Sequence, residues 1–278
     1  MANQISVEEL LSKNQRFKDL HVGERCFILG NGPSLKDVDL SLLADEFVFT
    51  VNYFSFVDGY EKVKMNVHVA TDPAFFEIDN SRLNIKNFDR TITNYKAMIQ
   101  DNPKCFVPIH AYQFIKQNSL DKLFDFSYLA CNLGMGAANH AIDNPIYMDI
   151  SRPITCYATV IQTAITIAIY MGFKEIYLLG CDSTYVMHPI DEAIKRETQR
   201  LHAYNEKNED TKKLNDAFIS KHGLKGAFFE GWVLFTGYEK LTYICYNLLN
   251  IKLINCSSRT IIDSVPRMDL MEVLSKKR

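Results

Sequence analysis

Apolar residues along this chain fall into short runs divided by polar turns. Six of the runs read as strands: 25–30 (RCFILG), 46–52 (EFVFTVN), 66–71 (NVHVAT), 104–109 (KCFVPI), 174–181 (KEIYLLGC) and 250–256 (NIKLINC). They are rich in Val, Ile, Phe and Tyr. Several are continuously apolar rather than alternating, which is the pattern of strands covered on both faces. Helical periodicity lies between them. Residues 7–19 read as a short helix ahead of the first strand, and 157–172 as a longer one stopped by Gly172, a natural C-terminal cap. This alternation predicts an α/β fold, Rossmann-like, with a mostly parallel open sheet flanked by helices.

The rhythm fails over residues 183–236, a long, charged stretch that includes KRETQRLHAYNEKNEDTKKLND and follows directly on a strand end. Long insertions at the carboxyl end of a strand are where lids and acceptor sites are built. The expectation is a helical lid at 183–236 inside a single domain spanning residues 1–278, since no internal repeat or low-complexity linker divides the chain.

Composition narrows the class. With 278 residues, 47% of them hydrophobic, the chain can bury a large core. Its 31 basic and 33 acidic residues, net charge −2, argue against nucleic acid as the main partner. The seven cysteines are scattered through apolar runs without a CxxC pair. They read as small buried hydrophobes in a reducing compartment, not as a disulfide framework or a zinc site. Residues 1–20 are polar and amphipathic, without the apolar centre of a signal peptide. The longest apolar stretch, ATVIQTAITIAIYMGF, is too short to span a bilayer. The expected location is the cytoplasm, and peripheral attachment at the inner face of the inner membrane is compatible with it.

The strand ends carry the candidate chemistry. The first breaks into Gly30-Asn31-Gly32-Pro33-Ser34. Two glycines let the backbone turn tightly and approach a ligand, and Ser34 reads as the N-cap of a following helix whose free amides would attract phosphate. The turn is neither GxGxxG nor GxxxxGK[ST]. The second strand also ends in Asn52, where a dinucleotide site would want an acidic residue. The third strand presents Thr71 and Asp72, and the GCD strand presents Gly180, Asp182, Thr184 and Tyr185. Each could be a local cap or Asx-turn. Together they outline a ligand site beyond the carboxyl ends of a parallel sheet. Asp37-Val38-Asp39 matches a DxD metal motif only superficially, because it opens or caps the first helix, and no metal is expected there.

Four segments, FILGNGPSLKDVDLSLL, TVNYF, VATDPAFFE and GFKEIYLLGCD, resemble successive parts of the bacterial sialyltransferases of glycosyltransferase family 42. They are equally similar to a wider bacterial group of surface-polysaccharide loci named for its likeness to 6-hydroxymethylpterin pyrophosphokinase, which NIKLINCSSRTIIDSVPRMDLMEVL resembles in particular. The resemblance covers roughly residues 24–272. It implies a glycosyltransferase moving an acidic, sialic acid-like sugar from a CMP-sugar donor to a glycan or lipid-linked glycan acceptor with inversion, in O-antigen, capsule or lipooligosaccharide assembly. Asn31 and Asn52 then match donor-contacting positions. Asp72 stands where those enzymes carry Asn. Their RITSG-type segment reads SRPITCY here, which keeps Thr155, moves the arginine to Arg152, and puts Cys156-Tyr157 in place of Ser-Gly. Self-association is compatible with this reading.

Such a transfer needs a general base for the acceptor hydroxyl, donors for the departing phosphate and exclusion of water. The resemblance implies a lid histidine as base. His202 and His188 are the candidates, ahead of a carboxylate such as Glu230 or Asp182, while His21, His68, His110 and His140 read as structural. Tyr185 is the candidate phosphate-facing hydroxyl. CMP leaves as a monophosphate, so no cofactor is required and Mg²⁺ would at most stimulate. The alternative is a pterin pyrophosphokinase using ATP, with Asp72 and Asp182 holding Mg²⁺. A nucleotide-binding accessory protein without catalysis is a third reading.

Overall fold

The computed structural model describes residues 5–76, 85–131, 148–155, 157–187 and 208–276, with residues 85–87 and 208–222 given as backbone only. Seven strands form one sheet: β1 (Arg25–Leu29), β2 (Val48–Val51), β3 (Val67–Val69), β4 (Lys104–Pro108), β5 (Phe126–Leu129), β6 (Glu175–Leu179) and β7 (Lys252–Asn255). Every pairing is parallel, and the order is β5-β4-β3-β2-β1-β6-β7. The chain therefore winds outward from β1 to β5, then returns to the other side of β1 for β6 and β7.

The strand cores are apolar because both faces are covered. Cys26, Phe27, Ile28 and Leu29 of β1 are all fully buried, as are Leu178 and Leu179 of β6. One face packs against α4 (Val160–Tyr170) and the helix after it, with Ile165, Ala168, Leu234 and Tyr238 in the same core as Ile28 and Phe49. The other face packs Phe27, Leu29 and Val107 with Leu35, Phe54, Tyr95 and Phe114. Here Tyr95 belongs to α2 (Ile85–Ala97) and Phe114 to α3 (Ala111–Gln117).

α4 starts at Thr159, whose side chain accepts from the Ile161 amide, and runs to Tyr170, with Gly172 just beyond in the left-handed region at φ 94°. Residues 7–19 are α1 (Val7–Ser12) followed by a 3₁₀ turn, Lys13–Phe17. Two expectations need correction. β5 lies in DFSYL, whose Asp and Ser hide a strand among turn residues. After Gly32 comes a 3₁₀ turn at Pro33–Asp37 and a second at Leu40–Leu43 in place of an amphipathic α-helix.

The stretch 183–236 opens with a 3₁₀ turn, Thr184–Met187, and ends within a helical span, α5 (Asn208–Tyr243), broken at Gly223 (φ 64°, ψ −179°). The second half of α5 is core. Val233, Leu234, Tyr238 and Leu241 are buried, Gln162 Nε2 of α4 donates to the Leu234 carbonyl at 2.8 Å, and Gly237 has no room for a methyl group against Gln162. The part expected as a lid thus runs into a packed helix. No helix among the described residues is long and apolar enough to cross a membrane.

Candidate functional site

Because β1 sends the chain to β2 on one side while β6 lies on the other, the sheet's switch point falls between β1 and β6. In open parallel sheets the crevice beyond such a point is where ligands bind. The two glycine turns meet there. The Gly30 amide donates to the Leu179 carbonyl at 2.7 Å and the Gly32 amide to the Gly180 carbonyl at 2.8 Å. A methyl group on Gly180 would stand 2.5 Å from the Gly30 oxygen, and one on Gly30 would collide with the Gly180 oxygen. Gly180 also sits at φ 62°. Backbone contact this close admits only glycine.

Ser34 and Asp182 tie the two turns together. Asp182 accepts from the Ser34 amide at 2.7 Å and from the Ser34 hydroxyl. Burial raises the Asp182 carboxyl above its ordinary range, against the Ser34 hydrogen bonds that favour its charged form. This corrects the reading of Ser34 as a helix N-cap with free amides. The cap position is Gly32, and the Ser34 amide is spent on Asp182, which lies 148 residues away in sequence.

A cavity of about 490 Å³ opens over these turns. It is lined by residues after β1 (Gly30, Asn31, Gly32), β2 (Asn52), β3 (Thr71, Asp72), β5 (Cys131) and β6 (Gly180, Asp182, Tyr185), by Tyr157–Ile161 at the start of α4, and by Glu230 of α5. A larger hollow of about 680 Å³ lies beside β5, where Arg16 pairs with Asp125 and Lys116 with Asp121. It shares no lining residue with the cavity over the glycine turns and its charges are largely spent on each other, so the smaller cavity is the candidate site.

Two of the lining residues are amides whose side-chain oxygens are buried behind the cavity wall. Asn31 is buried and its Nδ2 donates to the Val51 carbonyl at 3.1 Å, while its Oδ1 accepts nothing among the described residues. Asn52 holds φ 51°, a left-handed conformation that asparagine tolerates better than most side chains. Its Oδ1 is likewise buried without a donor among the described residues. Eight other buried side-chain polar atoms among the described residues are unmatched in the same way, Asn14 Oδ1 and His68 Nε2 among them. Hydroxyls complete the lining. Burial pushes the Tyr157 phenol up to about 12. Tyr185 is raised further by burial and then by the charge of Glu230. Both are neutral O–H donors at ordinary pH. None of the described lining residues is Lys, Arg or His.

Of the residues singled out in the sequence, Gly30, Asn31, Gly32, Asn52, Thr71, Asp72, Gly180, Asp182, Thr184, Tyr185 and Glu230 are brought together here. Ser34 is buried against Asp182, and Thr155 is fully buried but does not line the cavity. Arg152 is exposed, 3.6 Å from Asp149, and does not line it either. His188 and His202 lie outside the described residues, as does His140. His68 is buried in β3, while His21 stacks on Phe173 and His110 precedes α3, none of them at the cavity. Sequence reasoning missed Cys131, Tyr157, Thr159 and Thr163 as lining residues. Thr159 was the readable one, because a threonine opening a helix near the sheet's carboxyl edge also opens it onto the crevice.

No protein-family model matches the chain, and no curated protein matches it. One solved structure similar to it is the sialyltransferase CstII from Campylobacter jejuni in complex with a substrate analogue, cytidine-5'-monophosphate. The likeness covers 73% of this chain and 77% of that one at 20% identity, with a TM-score of 0.38. A likeness at that score decides nothing, and the functional reading stands on the cavity.

Proposed function

We propose that the protein is a glycosyltransferase that binds a CMP-sugar donor in the cavity at the β1–β6 switch point. The observation that carries this is the convergence of four strand ends and the start of α4 on one crevice lined by neutral polar side chains, Asn31, Asn52, Thr159, Tyr157 and Tyr185 among them. Neutral donors surround the rest of the cavity: the phenols of Tyr157 and Tyr185, several threonine hydroxyls, and the start of α4, whose dipole favours an anion. Such a lining suits a monophosphate better than the triphosphate of ATP, which would need cations that the described lining lacks.

On this reading the acceptor is a glycan or lipid-linked glycan, the reaction belongs to surface-polysaccharide assembly, and no metal is needed. Calorimetry tests the assignment directly. CMP should bind in the presence of EDTA, and Asn31→Ala and Asn52→Ala should each weaken it about 5–150-fold, one lost hydrogen bond apiece, at about 1–3 kcal/mol each. Unchanged CMP affinity in both variants, or thermal stabilisation by ATP with Mg²⁺ and none by CMP, rejects the donor site.

A further inference from the structure

Resting on that donor reading, we infer that Glu230 is the general base of the transfer, accepting the proton of the acceptor hydroxyl. Three carboxylates line the cavity, Asp72, Asp182 and Glu230. Asp182 is committed, because it is almost fully buried and accepts from both the amide and the hydroxyl of Ser34. Asp72 stands exposed at the rim, after β3. Glu230 alone combines a part-buried position with a rigid support.

That support is specific. On the same helix Ala227, Val233 and Leu234 face the core, while Phe228, Phe229 and Trp232 face outward. Glu230 falls on the inward side, over the cavity. The helix is clipped to α4, since Gln162 holds the Leu234 carbonyl and Gly237 abuts the Gln162 side chain. A catalytic group on a packed helix is placed more reproducibly than one on a loop. Glu230 is also close enough to Tyr185 for its charge to raise the phenol. The titratable groups facing it around the cavity are Asp72, Asp182, Tyr157, Tyr185, Cys131 and Cys181. Both tyrosines and Cys181 are held in their neutral forms by burial.

The step balances without any further reactant. The acceptor oxygen forms its bond to the anomeric carbon as its proton passes to the Glu230 carboxylate. The bond from that carbon to the phosphate oxygen breaks, and CMP leaves with the bonding pair. The proton returns to solvent when product departs.

The test uses the full chain and two readouts, CMP affinity by calorimetry and CMP release from CMP-N-acetylneuraminate with water or a β-galactoside as acceptor. Glu230→Gln, which keeps the shape and removes the basicity, should lower turnover about 10²–10⁴-fold, the usual worth of a positioned base. CMP affinity should stay within about threefold, because the proton comes from the acceptor and not from the nucleotide. The acidic limb of the turnover–pH profile should vanish, and formate should partly restore Glu230→Ala. Near-normal turnover in Glu230→Gln overturns the assignment, as does a parallel loss of turnover and CMP affinity. So does a loss that falls on His202→Ala or His188→Ala while Glu230→Gln turns over normally. If the unaltered protein fails to bind CMP, or binds it but releases none from the donor, the donor reading itself fails and takes the base with it.

Discussion

Gly30 and Gly180 bring backbone against backbone between the carboxyl ends of β1 and β6. Gly30→Ala and Gly180→Ala should each destabilise the fold by about 1–3 kcal/mol, the usual cost of overpacking a filled site. Gly180→Ala adds the strain of a left-handed residue at φ 62°. Gly231→Ala is the control. It lies within α5, a methyl group there meets nothing within 4 Å, and a helix interior favours Ala over Gly by roughly 0.5–1 kcal/mol. Urea unfolding of the three variants measures the contrast, and equal effects at Gly30 and Gly231 would show that the turns do not touch as described. At this scale the sequence revealed that GNGPS and GCD are special turns. It did not reveal that they interlock, because the Ser34–Asp182 bonds join residues far apart in the chain, and no local pattern encodes such a pair.

Elements were legible where hydrophobic runs were long. All six expected strands are present, trimmed at their ends, and the helix stopped by Gly172 is α4. β5 was illegible because it is a short edge strand flanked by polar residues. Edge strands invite unwanted pairing, and each edge here is clipped at one residue. At β7, Asn255 exchanges backbone hydrogen bonds with Pro266 and Met268. At β5, the buried Asn14 side chain donates through Nδ2 to the carbonyls of Tyr128 and Ile150, both at 2.8 Å. Asn14→Leu removes that donor and leaves two buried carbonyls unmet. The expected loss is about 1–3 kcal/mol in urea unfolding, with a rise in concentration-dependent association by light scattering as the edge loosens. A variant as stable and as monodisperse as the unaltered protein would show that the edge does not depend on this clip.

For the whole molecule, the order β5-β4-β3-β2-β1-β6-β7 is what turns separate polar strand ends into one site, and that order cannot be read from a single chain. The same sheet buries an ionisable group behind the site. His68, in β3, is fully buried, with Nδ1 3.0 Å from the Thr50 hydroxyl and its ring edge-on to Tyr95 at 5.9 Å. Burial lowers its pKa from 6.5 to about 3, a shift partly offset by the backbone of Asn52. The consequence for stability has a definite sign. Between those two values the unfolded chain binds a proton at this imidazole and the folded chain does not, so stability rises with pH across that window. The contribution is complete above the unfolded value and is lost as pH falls toward the folded one. Between pH 6.5 and pH 5 it amounts to about 2 kcal/mol. His68→Gln keeps a polar group near Thr50 but cannot take up that proton. Compared by urea unfolding at several pH values, the unaltered protein should therefore lose about 2 kcal/mol more than His68→Gln over that interval, whatever the two stabilities are at neutral pH. Parallel pH dependences would mean that the native sheet admits a protonated imidazole, and that the layer behind Asn52 is not closed to water.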